Sequence, residues 1–202
     1  MGVRKLQAAE TESALLAAAR QLFAERGYLN TKITDITGTA GRASGSFYQH
    51  FASKEELLRA LETDMYEQGS AALASEGTGE PHDLADPVHL REHLAVAWEV
   101  MRGNRAVVAA LFESAVAAGP ASGALWDQLT TGTAVYREHL EYMRDQGREL
   151  PGDPELVAAA MGGMMSLLAY TMPPAYSADA VIDTLTALLL HGLAGPISDS
   201  GR

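Results

Sequence analysis

Apolar residues recur at three- and four-residue spacing along most of the chain. No stretch of β-branched residues alternates with period two, so the pattern predicts an all-α protein. Leu15, Leu16, Ala19, Leu22 and Phe23 share one stripe of a helix over about residues 10–26, stopped by Gly27. Two short helices are predicted next. One covers 33–39, with Ile33, Ile36 and Ala40 inward, and ends at Gly41. The other covers 44–50, with Phe47 and Phe51 inward. Ser53 and Glu56 have the spacing of a capping box, which opens a helix running to about Ala74. Residues 75–87, rich in Gly, Pro and acid, read as a loop. Later helices are predicted near 87–102, 104–118, 122–148, 153–172 and 178–194, punctuated by Gly103-Asn104, Gly119-Pro120, Pro151-Gly152-Asp153-Pro154, Pro173-Pro174 and Gly195-Pro196.

The chain has 202 residues, enough for one domain or for a small one plus a medium one. Its composition, 47% hydrophobic and 20% charged, excludes a disordered chain. The absence of cysteine excludes disulfide scaffolds, thiolate metal sites and a cysteine nucleophile. The start has no apolar run of a secretory signal. The apolar region 156–172 is broken by Gly162, Gly163 and Ser166, so it reads as a buried helix and not a membrane span. A cytoplasmic protein is therefore expected.

The net charge of −11 argues against nucleic acid until its distribution is considered. Residues 1–59 hold eight basic and six acidic residues, whereas 60–202 hold seven and 20. A mildly basic module on an acidic body suits local binding of an anion. Within that module the short helices joined at Gly41 form a candidate helix-turn-helix over about 32–51. A helix entering a major groove about 12 Å wide needs a small or hydrogen-bonding outer side. Ser44, Gly45, Ser46, Tyr48 and Gln49 supply one, and Lys32, Arg42, His50 and Lys54 surround it as phosphate partners. Gln49 and Arg42 are also able to read base edges. On pattern alone, a helical hairpin with an ordinary polar face remains the alternative.

The same stretch resembles the DNA-binding region of the tetracycline-repressor (TetR) family of transcription regulators. The resemblance rests on Ala18-x-x-x-Leu22-Phe23-x-x-x-Gly27-Tyr28, Thr31, Ile33-x-x-Ile36, Ala40-Gly41, Gly45-x-x-Tyr48-x-His50-Phe51 and Lys54-x-x-Leu57. It implies a DNA-binding region over 9–69, with Thr31 and Tyr48 among its contacts, and a helical regulatory and dimerisation domain over 70–197. Residues 1–8 and 198–202 are expected to be flexible. Further implications are a homodimer, a pseudo-palindromic double-stranded operator, a small-molecule effector, and repression as the mode of action. The turn departs from the family's Ala-Gly-Val-Ser: Ala43 lacks the capping hydroxyl, and Ser44 is expected to take its place. Gly38 is an unusual guest in a helix, and Lys32 stands where a hydroxyl is common.

The resemblance also implies a pocket in the regulatory half, and ligand sites are mostly apolar with a few polar groups. Tyr66, His93, Trp98, Met101, Phe112, Trp126, Tyr136 and His139 are the candidates, suited to an apolar or aromatic effector. The last two predicted helices are apolar over a wide arc, which suits burial on two sides. Met161, Met165, Leu168, Leu185 and Leu189 are the expected dimer contacts, in a four-helix bundle with the partner. The helix opening at Ser53 is expected to be the single link that carries a signal between the halves. One string competes with this reading. His89-Leu90-Arg91-Glu92-His93 has the H-x-x-E-H spacing of a helical zinc peptidase, but that chemistry also needs a substrate cleft and a third ligand, for which Glu99, Glu113 and Glu138 are only unplaced candidates. A metal-dependent hydrolase and an acidic helical interaction module are the alternatives. The main expectation is a non-enzyme with no cofactor and no metal.

Overall fold

The computed structural model describes residues 3–75, 81–173 and 175–194. Among them the regular structure is helical: α1 (Val3–Arg26), α2 (Ile33–Thr39), α3 (Ser44–Phe47), α4 (Lys54–Ser75), α5 (Pro87–Gly103), α6 (Arg105–Ala117), α7 (Ala124–Gly132), α8 (Ala134–Asp145), α9 (Pro154–Thr171) and α10 (Ala178–His191), closed by a 3-10 turn at Gly192–Ala194. No helix among the described residues is long and apolar enough to cross a membrane.

Most elements lie where the hydrophobic period puts them, and the exceptions have local causes. Helix α1 begins at Val3, so residues 3–8, expected to be flexible, are helical; the apolar stripe starts only at Leu15, and Leu6 ahead of it is exposed. Residues 198–202 lie outside the described residues. Helix α3 closes after Phe47, and residues 48–50 form a turn. The expected helix 122–148 is broken at Gly132-Thr133 into α7 and α8. Thr133 is buried and its hydroxyl donates back to the Leu129 carbonyl at 2.8 Å, competing with helix continuation.

The chain forms two compact units, and neither is a continuous segment. The first comprises 1–66 and 104–128, the second 67–103 and 129–202. The boundary expected at 69/70 falls close to the one inside α4, but α6 and the start of α7 join the first unit. The core of that unit contains Leu15, Ala19, Leu22, Phe23, Ile36, Phe47, Leu57 and Leu61. Helix α6 packs on α1. Its Glu113 carboxylate lies 2.9 Å from where a Cβ on Gly27 would sit, and accepts the Leu29 amide at 3.1 Å. Gly27 is therefore fixed twice: by φ +81, and by the space that Glu113 occupies.

The second unit is built around Leu90, Leu94 and Trp98 of α5, Tyr136, Leu140 and Met143 of α8, Met161 and Met165 of α9, and Val181, Ile182 and Leu185 of α10. Gly162 lets α9 close on the break before α8: a Cβ there would collide with Thr133 Cγ2.

Candidate nucleic-acid interface

The reading face is small and rests on a buried aromatic base. Gly41 adopts φ +63, which turns the chain between α2 and α3 at little steric cost. Phe47 is fully buried and packs on Phe51 with ring centroids 5.7 Å apart. With Phe47 inward, Ser44, Gly45, Tyr48 and Gln49 point outward and are exposed, and Ser46 is half-buried. Tyr48 is 62% exposed; its ring meets Phe47 edge-on at 5.5 Å, which holds the phenol outward. Ala43 is the N-cap of α3 without a side-chain bond. Ser44, expected to take over the cap, is instead the first helical residue. At the start of α2 the Asp35 carboxylate accepts the Lys32 amide at 3.0 Å, and the Lys32 side chain is left exposed.

Two of the expected contacts have other roles. Thr31 is only 1% exposed, and its hydroxyl donates to the Gly27 carbonyl at 2.8 Å. It closes the α1–α2 turn and is sealed from a phosphate. Lys54 Nζ donates to the carbonyls of Tyr28 (2.8 Å) and Thr31 (2.9 Å) and lies 4.0 Å over the Tyr28 ring. Burial holds its pKa below the usual lysine value. Lys54 is thus a strut between α4 and the α1–α2 turn, with most of its donors already used. Tyr28 completes the strut by donating to Glu55 at 2.9 Å, and burial pushes its hydroxyl up to about 12.

Arg42 and His50 flank the face, and each meets a carboxylate from α1. Arg42 Nη2 lies 3.3 Å from Glu10, and His50 Nδ1 lies 3.3 Å from Glu12. These two acids were absent from the sequence-based site. They lie over thirty residues from their partners, and only the fold brings them to the same surface.

The expected effector residues divide between the units. Tyr66, Phe112 and Trp126 belong to the first. Tyr66 donates to Glu62 at 2.9 Å, Phe112 is half-buried, and Trp126 is 46% exposed. In the second, Trp98 is buried and Met101 packs at the core's edge. There His93, Tyr136 and His139 come together: the His93 and His139 rings lie 4.6 Å apart, and Tyr136 is 6.4 Å from His93. Burial holds the His93 imidazole down at about 4, so it is neutral at physiological pH. His82, which the sequence reading did not single out, joins them. A separate cavity of about 490 Å³ is lined by Asp83, Tyr142, Met143, Gln146, Gly147 and Arg148, none of them an expected effector residue.

The expected dimer contacts differ in burial. Met161, Met165 and Leu185 are buried in the protomer's own core, with Leu168 and Leu189 packed against it. Leu168 and Leu189 remain half-buried, so part of the expected set reaches the surface. The outward stripe of α9 is Leu156, Ala160, Gly163, Leu167 and Tyr170, at helical spacing and half-buried to exposed.

Comparison with known proteins agrees with the geometry of the first unit. Residues 15–61 match the sequence profile described as "Bacterial regulatory proteins, tetR family". Residues 15–61 are thus a TetR-family DNA-binding region. The HTH-type transcriptional repressor KstR2 of Mycobacterium tuberculosis is 53% identical over 47 residues, 23% of this chain and 24% of that protein. The HTH-type transcriptional regulator TtgR of Pseudomonas putida is 38% identical over 85 residues, 42% of this chain and 39% of its own. The likeness to curated relatives thus spans about a quarter to two fifths of their length. Across the whole chain the fold is shared with FadR, a fatty acid degradation regulator from Bacillus halodurans (TM-score 0.71, 17% identity, 92% of this chain and 97% of that one), and with Salmonella enterica GusR (TM-score 0.68, 24% identity, 91% and 95%). At that identity the likeness shows the shared fold alone and nothing about effectors.

Proposed function

We propose that this chain is a ligand-responsive transcriptional repressor of the TetR family that binds a pseudo-palindromic operator as a homodimer in the cytoplasm, without catalysis. The observation that carries the reading is the outward Ser44–Gln49 surface held rigid on Phe47, within the segment that matches the family. Tyr48, Lys32 and Ser44 contact the backbone. Gln49 reads a base edge, where a bidentate pair discriminates by about 1–3 kcal/mol, and Arg42 meets a phosphate. Two such surfaces related by a two-fold axis read half-sites spaced by about 34–36 Å per helical turn. The outward α9 stripe supports the two-fold contact, because Ala160 and Gly163 permit close helix approach. An apolar effector binding the second unit releases the DNA through a coupling that is reciprocal by linkage.

The test is selection of duplex sequences by the full chain, followed by anisotropy titrations over a range of salt. A palindromic consensus bound by one dimer, with affinity falling steeply as salt rises, is the expected result. Binding without sequence preference, or none at low salt, removes the reading.

A further inference from the structure

Three histidines from distant parts of the chain meet inside the second unit. His82 lies in the segment before α5, His93 on α5 and His139 on α8. Their ring centroids are 5.0 Å (82–93), 4.6 Å (82–139) and 4.6 Å (93–139) apart. One ring nitrogen from each lies within 4.8 Å of the other two. The Nε2 atoms of all three are sealed from solvent, and that of His93 has no hydrogen-bond partner. A buried polar atom left so costs about 1–3 kcal/mol, a burden that core packing alone does not explain.

The other nitrogens are arranged as metal ligands require. His93 Nδ1 faces the His89 carbonyl at 3.0 Å, and His139 Nδ1 faces the Val135 carbonyl at 2.7 Å. A carbonyl accepts only from N–H, so the proton sits on Nδ1 and the Nε2 lone pair is directed inward. His93 and His139 are 1% and 2% exposed, on helices whose Leu90, Leu94, Trp98 and Leu140 belong to the unit's apolar core. We propose that His82, His93 and His139 bind one first-row divalent transition-metal ion, with Zn²⁺ the best match to the donor set. Imidazole selects such ions over Mg²⁺ and Ca²⁺, and three histidines leave the fourth tetrahedral position for water or an exogenous donor. With Zn–N near 2.0–2.1 Å, each ring needs to move inward by less than ~1 Å. His89 stays outside the triad although its ring is 4.5 Å from that of His82. The His89–His93 spacing visible in the sequence is therefore not the ligand pair. Bound metal would tie the segment at His82 to α5 and α8. It goes beyond the DNA-binding reading and does not depend on it.

The test uses untagged full-length protein stripped with a chelator and titrated with Co²⁺, then with Zn²⁺ against a chromophoric chelator. Expected is one ion per chain, the visible d–d bands of four-coordinate cobalt, and a rise in melting temperature with Zn²⁺. His82→Ala, outside any helix, and His139→Gln should each weaken binding by at least on the order of 100-fold while keeping the apo-protein's circular dichroism. His89→Ala should keep both the stoichiometry and the bands. No stoichiometric ion in the wild-type protein overturns the site, whatever the variants do. Equal binding by His82→Ala, or loss of the ion in His89→Ala, overturns the ligand assignment.

Discussion

Glu10 is placed to restrain DNA binding, and its removal gives a signed prediction. Its carboxylate stands 3.3 Å from Arg42 on the face that would meet phosphate. The pair is exposed, with 75% of the Glu10 side chain and 33% of the Arg42 side chain open to water. Such pairs contribute about 0–1 kcal/mol to stability, so Glu10→Gln should leave the melting temperature nearly unchanged. Its effect on DNA should be larger. The substitution removes a negative charge beside the duplex and frees a guanidinium for it. Each added phosphate contact steepens the slope of log affinity against log salt by about 0.9. The predicted variant therefore binds any duplex more tightly at low salt, with a slope steeper by about one. Its preference for operator over random DNA should fall, because the gain is blind to sequence. The assay is anisotropy on both duplexes at four or five salt concentrations. An unchanged slope would mean that the Glu10–Arg42 pair survives in the complex. Weaker operator binding would mean that Glu10 positions Arg42 for a base and does not restrain it. Either result refutes the reasoning.

Lys54→Met removes two charge-assisted bonds and should cost about 1–3 kcal/mol in thermal or denaturant unfolding. It should lower DNA affinity without changing the salt slope, whereas a phosphate ligand would flatten the slope by about one. Gly162→Ala forces a methyl group against Thr133 and should cost about 1–3 kcal/mol by overpacking; Thr133→Ala in the same chain should restore part of it, and additive melts would dismiss the contact. Leu167→Asp should yield a folded monomer by light scattering, while Leu185→Asp, buried in the protomer, should unfold the second unit; a dimeric Leu167→Asp protein moves the interface off this stripe. Glu113→Ala should speed hydrogen exchange at the Leu29 amide by about tenfold, the loss of one hydrogen bond of about 1.4 kcal/mol, and unaltered exchange would show that the bond is not made in solution.

Legibility in the sequence followed the range of the interactions. The limits of α2 and the start of α4 were readable because their signals are local: Gly41, and the Ser53–Glu56 spacing. Ser53 Oγ does accept the Glu56 amide, at 3.2 Å. The outward positions of α3 followed from period alone once Phe47 was assigned to the core. Charges were harder. Lys54 looked like a free cation because its acceptors are backbone carbonyls, which no residue type reveals. Thr31 looked like a surface hydroxyl for the same reason. The partners of Arg42 and His50 lie in α1, and the histidine triad joins residues up to 57 apart. Only the His89–His93 spacing was visible there, and it selects the wrong pair. On α9 the apolar arc runs past the protomer's core onto an exposed stripe at Leu156, Leu167 and Tyr170, and period alone did not separate the two faces.

The division of the chain changes how a signal would travel. With a boundary near residue 70, α4 is the single passage between reader and sensor. The observed units are crossed by the chain three times: inside α4, between Gly103 and Asn104, and between Gln128 and Leu129. The last two crossings bracket α6. That helix shares a core with α1 and holds the Gly27–Leu29 turn through Glu113. The turn in turn presents the Tyr28 and Thr31 carbonyls to Lys54, at the start of α4. A displacement of α6 would therefore reach the reading helices through hydrogen bonds inside one packed unit, with no need for α4 to swing as a lever. Packed cores switch between discrete arrangements and do not bend continuously, so a small shift at Glu113 is enough to change how the turn seats the helix-turn-helix.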